Sequence, residues 1–378
     1  RFGGRSREEV VVDHVARVAR MLIERGRRPM VWSDALPEKP ELANRLPEDL
    51  ILCHWHYGAG NREGVDHYRT KLTHPGRPFY ACASTWSFVK LFPDLALMRS
   101  SNDGMFAAAK ERGPLGMMTT IWGDLGHMNL PGLEVYPLAY AARHGWSRTP
   151  AEDDPGPLLS RLVYGGSKSA GALPLILDGL NRALNGPFGM GGVALPVFFA
   201  EPFSIAPLPA EFRLERAAGA LETAARYGSA TLSKMEAEGA AGRWLWLDHH
   251  LTLAQAEYLA KKLQIISGLM EAKESERPVA FRSAADRCGE AAALLARCLG
   301  LLESRWLVNH KRSGFEVNLA RWRRLIQAWR DRQRELLGYA AELSAGRSAP
   351  ETSKIFATAP TGYQFNLLAE LGLDDLIG

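Results

Sequence analysis

Trp122, Asp124 and His127 fall within six residues of one another in TTIWGDLGHMN (119–129), where a run of strand-forming residues gives out. An indole offers a flat apolar face and one N–H donor, a carboxylate accepts from hydroxyls, and an imidazole can do either. Together they suit a ligand with both an apolar face and a rim of hydroxyls, such as a saccharide ring. Three other strand-like runs end in similar chemistry: Trp32 and Asp34 in PMVWSD, His54, Trp55 and His56 in DLILCHWHYG, and Tyr80 followed by Trp86 in RPFYACASTW. Each has a plainer reading. Tryptophan is often core, and Asp34 or Asp124 could be a helix N-cap. His54 and His56 share one face of a strand, as packing residues or as a metal pair completed by His127 or Asp124. That last possibility keeps a metal-dependent barrel hydrolase as a rival.

The segments that must position these residues alternate. Residues 8–25 carry apolar positions at three- and four-residue steps, which reads as an amphipathic helix closed by Gly26. A short strand follows at 29–33, then a short helix near Glu41–Arg45, a strand from Leu50 to Trp55, a polar helix over 61–72 and a strand from Pro78 to Cys82. A helix at 101–112 precedes the strand GMMTTIW, and LEVYPLAYAARHGW (133–146) reads as helix again. Four helix–strand alternations predict an α/β fold with a parallel sheet, of which four βα units make half of an eightfold barrel. In such a barrel all strand C-termini open on one face, so the four ends would converge.

Residues 148–211 hold most of the Pro/Gly clusters and read as a connector with one helix near 169–184. From 212 to 345 the chain is rich in Ala, Leu, Glu and Arg with helical periodicity, which predicts an α-helical bundle; 346–378 read as a tail with a short helix. RWLWLDHH (243–250) and RWLVNHKRSGFE (305–316) mix aromatic and polar residues, and helix packing is their first reading. The sheet edges expected at the strands of Trp32 and Trp122 lack partners, so the polypeptide by itself is expected to behave poorly in solution.

At 378 residues the chain exceeds one ordinary core. Its 46 basic residues nearly balance 42 acidic ones, which argues against a nucleic-acid partner, and no tract is long and apolar enough to suggest a membrane span. Four cysteines form neither a disulfide framework nor a C-x-x-C pair and leave the compartment open. No phosphate-binding loop or G-x-S-x-G elbow occurs. RFGGRSREE has neither an initiator Met nor a signal-peptide pattern, so it reads as the interior of a longer chain.

The order W-S-D, a Trp on the next strand, P-F-Y-A-C-A-S-T-W, then T-T-I-W-G-D-L-G-H resembles the C-terminal half of the barrel in glycoside hydrolase family 20. It is similar in particular to a bacterial branch of β-N-acetylhexosaminidase-like proteins whose barrel is followed by a helical domain. The resemblance implies that Trp32, Trp55 and Trp122 line the sugar pocket and that Asp124 stands where the family commonly has Glu for the distal hydroxyls. Tyr80 and Trp86 lie near the segment that faces the acetamido group, where the family's Asp has no counterpart. It also implies a catalytic Asp-Glu pair upstream of Arg1, so no catalytic residue is expected in this chain and the fragment alone is expected to be inactive. Its partners would be a terminal hexosamine-containing glycan and the N-terminal half of its own barrel, with no metal or organic cofactor. A non-catalytic carbohydrate-binding protein with a degenerate barrel is the alternative.

Overall fold

The computed structural model describes residues 4–33, 36, 39–57, 69, 76–88, 90–123, 130–146, 154–185, 193–204, 212–348 and 355–356. Asp34, Asp124, His127, the helix expected over 61–72 and the helix expected in the tail lie outside the described residues. The chain divides into two compact units, one of residues 1–88, 94–122 and 134–155, the other of 89–93, 123–133 and 156–378.

The first unit is a mixed α/β structure. Helix α1 (Arg7–Ile23) starts where Ser6 accepts from the Glu9 amide while the Glu9 side chain accepts from the Ser6 amide, a reciprocal cap. Strands β1 (Met30–Trp32), β2 (Ile51–Trp55), β3 (Phe79–Ser84) and β4 (Gly116–Thr120) pair in parallel in the order β1-β2-β3-β4. Helix α2 (Leu95–Lys110) crosses from β3 to β4, and α3 (Val135–Trp146) follows β4. The segment Pro40–Arg45, expected to be helical, is a 3-10 turn opened by its proline. Helix α2 begins six residues ahead of the expected 101, because Asp94 caps it by accepting from the Leu97 amide at 3.0 Å.

Strand alternation sorts the side chains. Leu52 of β2 and Phe79, Ala81 and Ala83 of β3 pack in one core with Val12 and Ala16 of α1, Met105 and Phe106 of α2 and Ala141 of α3; Val31 and Met117 join it from the edge strands. The opposite parity therefore carries Met30 and Trp32, Cys53 and Trp55, Tyr80, Cys82 and Ser84, then Met118 and Thr120. Parallel sheets usually bury both faces. Here Met30 and Trp32 of β1 are exposed and Met118 and Thr120 of β4 are only partly buried along this second face.

The second unit is helical. Between 148 and 211 it forms α4 (Gly156–Leu162), a 3-10 turn (Lys168–Ala172), α5 (Leu173–Asn185) and α6 (Ala194–Phe199), more helix than the single segment expected there. Four long helices follow: α7 (Leu214–Ala237), which packs on α5, then α8 (Arg243–Ser275), α9 (Pro278–Asn309) and α10 (Phe315–Ser344), each of these three packed on the one before it. The two aromatic-polar stretches do serve packing. Asp248 from the first and Arg305 from the second form a buried two-point ion pair, and the Gly132 amide donates to Asp248 at 2.7 Å.

Lys262 of α8 is wholly buried and donates to the carbonyls of Val197 and Ala200 at 2.8 and 2.6 Å, closing the end of α6. Burial lowers its pKa from 10.5 to about 7, although nearby Glu201 opposes the shift. The unfolded chain then holds the extra proton between pH 7 and 10.5, so stability is expected to rise with pH across that window. Denaturant titrations at pH 7 and 9.5 should show the rise, and Lys262→Met should flatten it. A wild-type stability that falls over this range would contradict the assignment.

Candidate functional site

The second face of the sheet gathers its aromatics at the strand C-termini. Trp32 and Trp122 come from the two edge strands, whose axes in a flat sheet would lie about 14 Å apart. Their ring centroids nevertheless approach to 5.7 Å, so the two indoles lean toward each other across the sheet. Trp55, at the end of β2, lies 5.2 Å from the ring of Tyr57, which in turn lies 5.6 Å from Phe88. Trp32, Trp55 and Trp122 are 37, 40 and 38% exposed, so each presents part of a ring to solvent beside the others. Three part-exposed indoles on one face of the sheet form an apolar patch, and contiguous exposed apolar patches mark binding surfaces.

A directed chain of hydrogen bonds fixes the patch. The Trp122 indole N–H can only donate, and it donates to the Tyr57 hydroxyl. The Ala83 carbonyl can only accept, and it accepts from Thr120 Oγ1 at 3.1 Å. The link between them, Tyr57 Oη to Thr120 Oγ1 at 3.0 Å, must therefore run with Tyr57 as donor. Tyr57 was not among the residues expected from sequence. Its signal was there: in W-H-Y it continues the parity of Trp55 past the end of the strand.

Trp86 plays a different part from the exposed indoles. It is 0% exposed, and its N–H donates to the Tyr57 carbonyl at 3.2 Å, so it holds Tyr57 from beneath. Its backbone sits at φ +55°, unusual for a bulky residue. Three further contacts fix that turn: the Trp86 amide on Ser84 Oγ at 3.2 Å, its carbonyl on the Asp94 amide at 3.0 Å, and ring packing on Phe88. Strain of this kind, held by surrounding bonds, is characteristic of binding and catalytic sites. Tyr80 lies a layer deeper, its ring packed over Gly116, where a Cβ would come within 2.8 Å. Beside it Cys53 and Cys82 are buried free thiols in contact, and the pair together with burial pushes Cys82 up.

His54 faces the helical layer. Its Nδ1 bonds Ser33 Oγ at 3.0 Å and its ring meets Phe79 edge-on, so it packs there and does not point toward the indoles. Among the described residues no group of three His, Cys, Asp or Glu is placed to hold a metal ion, and no helix is long and apolar enough to cross a membrane. No family model and no curated protein matches the chain. The site therefore rests on its own geometry.

Sequence reading also passed over Glu134, just ahead of α3. Its carboxyl is buried beside the Thr85 and Ser87 hydroxyls at the end of β3, close enough for them to favour its charged form, yet neither oxygen has a well-aligned hydrogen bond. Burial is the larger effect and raises its pKa above 4.5. Both states are protonated below pH 4.5; as pH rises, the unfolded chain ionises first and stability falls until the folded carboxyl also ionises. Glu134→Gln is thus expected to raise stability at pH 8 and leave it nearly unchanged at pH 4. Equal effects at both pH values, by thermal unfolding, would show that burial is not the cause.

Proposed function

We propose that this chain is part of a glycoside hydrolase of the β-N-acetylhexosaminidase type, contributing half of a (β/α)8 barrel and a helical domain. The reaction is exo-acting removal of a terminal β-linked N-acetylhexosamine, or a related hexose. What supports this reading is the meeting of Trp32 and Trp122 at 5.7 Å above the strand ends, with Trp55 half-exposed beside them. A pyranose offers C–H groups to such indoles and leaves its hydroxyls to polar side chains; Asp34 follows Trp32, and Asp124 and His127 follow Trp122, in the sequence.

In this proposal the chemistry is substrate-assisted. The acetamido carbonyl oxygen attacks the anomeric carbon as a carboxylic acid protonates the leaving oxygen, and water then opens the cyclic intermediate with retention. The acid and the carboxylate that orients the acetamido group belong to sequence preceding Arg1, so residues 1–378 supply binding and not proton transfer. No cofactor takes part. The test is hydrolysis of aryl β-N-acetylglucosaminides by the chain with and without the preceding residues. The longer chain should turn over, slow when the acetyl group is replaced by the less nucleophilic trifluoroacetyl, and residues 1–378 alone should not. Turnover by residues 1–378 alone, or a rate indifferent to the acyl group, would overturn the proposal. Saturable sugar binding by a longer chain that lacks turnover would favour the carbohydrate-binding protein instead.

A further inference from the structure

The two free thiols of the sheet have no part in the carbohydrate reading. Cys53 of β2 and Cys82 of β3 lie on the same face, and both are buried. In register Cys53 stands beside Tyr80 and Cys82 beside Trp55, so the two cysteines are diagonal neighbours, one strand and two residues apart. Cys82 closes that diagonal. Its Sγ lies 3.7 Å from the Tyr80 carbonyl, so the side chain leans back along β3 toward the level of Cys53, and the two thiols are hydrogen-bonded to each other. Tyr80 leaves room for this meeting, because its ring leans the other way, over Gly116 of β4.

A direct disulfide does not fit this placement. Strands about 4.8 Å apart and a two-residue step of about 6.6 Å put the two Cα atoms about 8 Å apart, beyond the limit of about 7 Å for bridging without backbone movement. A metal ion between the sulfurs does fit, since two metal–thiolate bonds of about 2.3 Å span about 4.6 Å. Met118 of β4 is the register partner of Cys82 and carries a thioether on the same face. Among the described residues no third His, Cys, Asp or Glu joins the pair, and His54 faces the helices. Two thiols with a thioether are a soft, low-coordinate set, which suits copper(I); a structural zinc site takes four thiolate or imidazole ligands.

We propose that Cys53, Cys82 and Met118 form a binding site for copper(I) that links β2, β3 and β4. Binding exchanges the two thiol protons for one copper(I) ion, with no change of oxidation state on either side. The ion fastens three parallel strands at the level of Trp32 and Trp55, the register partners of Cys53 and Cys82. The inference is independent of the carbohydrate reading.

The test titrates the chain anaerobically with copper(I), kept reduced by ascorbate, against the chelator bathocuproine disulfonate. One copper(I) per chain should be withheld from the chelator, with a thiolate-to-copper charge-transfer band in the ultraviolet. Cys53→Ala and Cys82→Ala should each weaken retention by about a hundredfold or more, and Met118→Leu by about tenfold. Cys288→Ala with Cys298→Ala, in α9, should leave it unchanged. Should either strand variant fail to fold, alkylation of the wild-type chain in mild denaturant reads the same claim: copper(I) should protect Cys53 and Cys82 and leave Cys288 and Cys298 reactive. Copper(I) surrendered fully to the chelator, retention that survives the loss of Cys53 or Cys82, or protection of Cys288 and Cys298 instead would overturn the proposal. So would a Cys53–Cys82 disulfide formed in the folded chain by diamide, since the two backbones would then be close enough to bond directly.

Discussion

Trp122→Ala is expected to weaken binding of a terminal N-acetylhexosamine glycan about thirtyfold, corresponding to about 2 kcal/mol for removing a central aromatic anchor. Two losses combine. The ring that meets Trp32 disappears, and the Tyr57 hydroxyl loses the N–H that fixes its orientation. Trp122→Phe separates them, because it keeps an apolar face and removes only the donor; its loss should be several-fold smaller. Trp146→Ala is the control, since Trp146 is almost fully exposed on α3 and has no part in the cluster. Calorimetric titration of the three variants checks the order, and an effect at Trp146 as large as at Trp122 would remove the site from the sheet face.

Arg305→Ala carries the largest expected effect on stability. It strands the Asp248 carboxylate in the interior with, among the described residues, the Gly132 amide as its remaining hydrogen-bond donor, and breaking a buried pair on one side costs about 3–5 kcal/mol. For a helical unit of this size that corresponds to a fall of roughly 6–20 °C in the melting temperature. Replacing both partners by apolar residues, Asp248→Leu with Arg305→Met, should recover much of the loss, because no charge is then left without a counterion. Melting curves that rank the double variant below Arg305→Ala would mean that the pair contributes net stability through contacts beyond its own charges.

The four strands could be read from sequence to within a residue or two because each is a short apolar run ended by aromatic or polar residues, and β2 even carried its parity in plain view. Leu52 and His54 alternate with Cys53 and Trp55, so once one residue is known to face the helices the rest follow. The indoles were legible for the same reason. Tyr57 and Glu134 were not, since one lies beyond the strand and the other looks like an ordinary acidic residue before a helix. The role of Trp86 depends on a backbone at φ +55°, which no residue in S-T-W-S advertises. The helices at 156–162 and 194–199 were hidden by their prolines: Pro157 and Pro196 each sit within the first three residues of a helix, where proline is tolerated, but in sequence they suggest a loop.

The claim beneath the functional reading is that the strand C-termini form one saccharide-binding face. Chain labelled with ¹⁵N at its tryptophan indoles, titrated with a β-N-acetylglucosamine-terminated oligosaccharide, tests it directly once the resonances are assigned by single substitutions. The account expects Trp32, Trp55 and Trp122 to shift together along one saturation curve while Trp146 and the buried Trp329 stay fixed. Three strand-end indoles that remain unmoved at saturating sugar, or that follow separate curves, would contradict it.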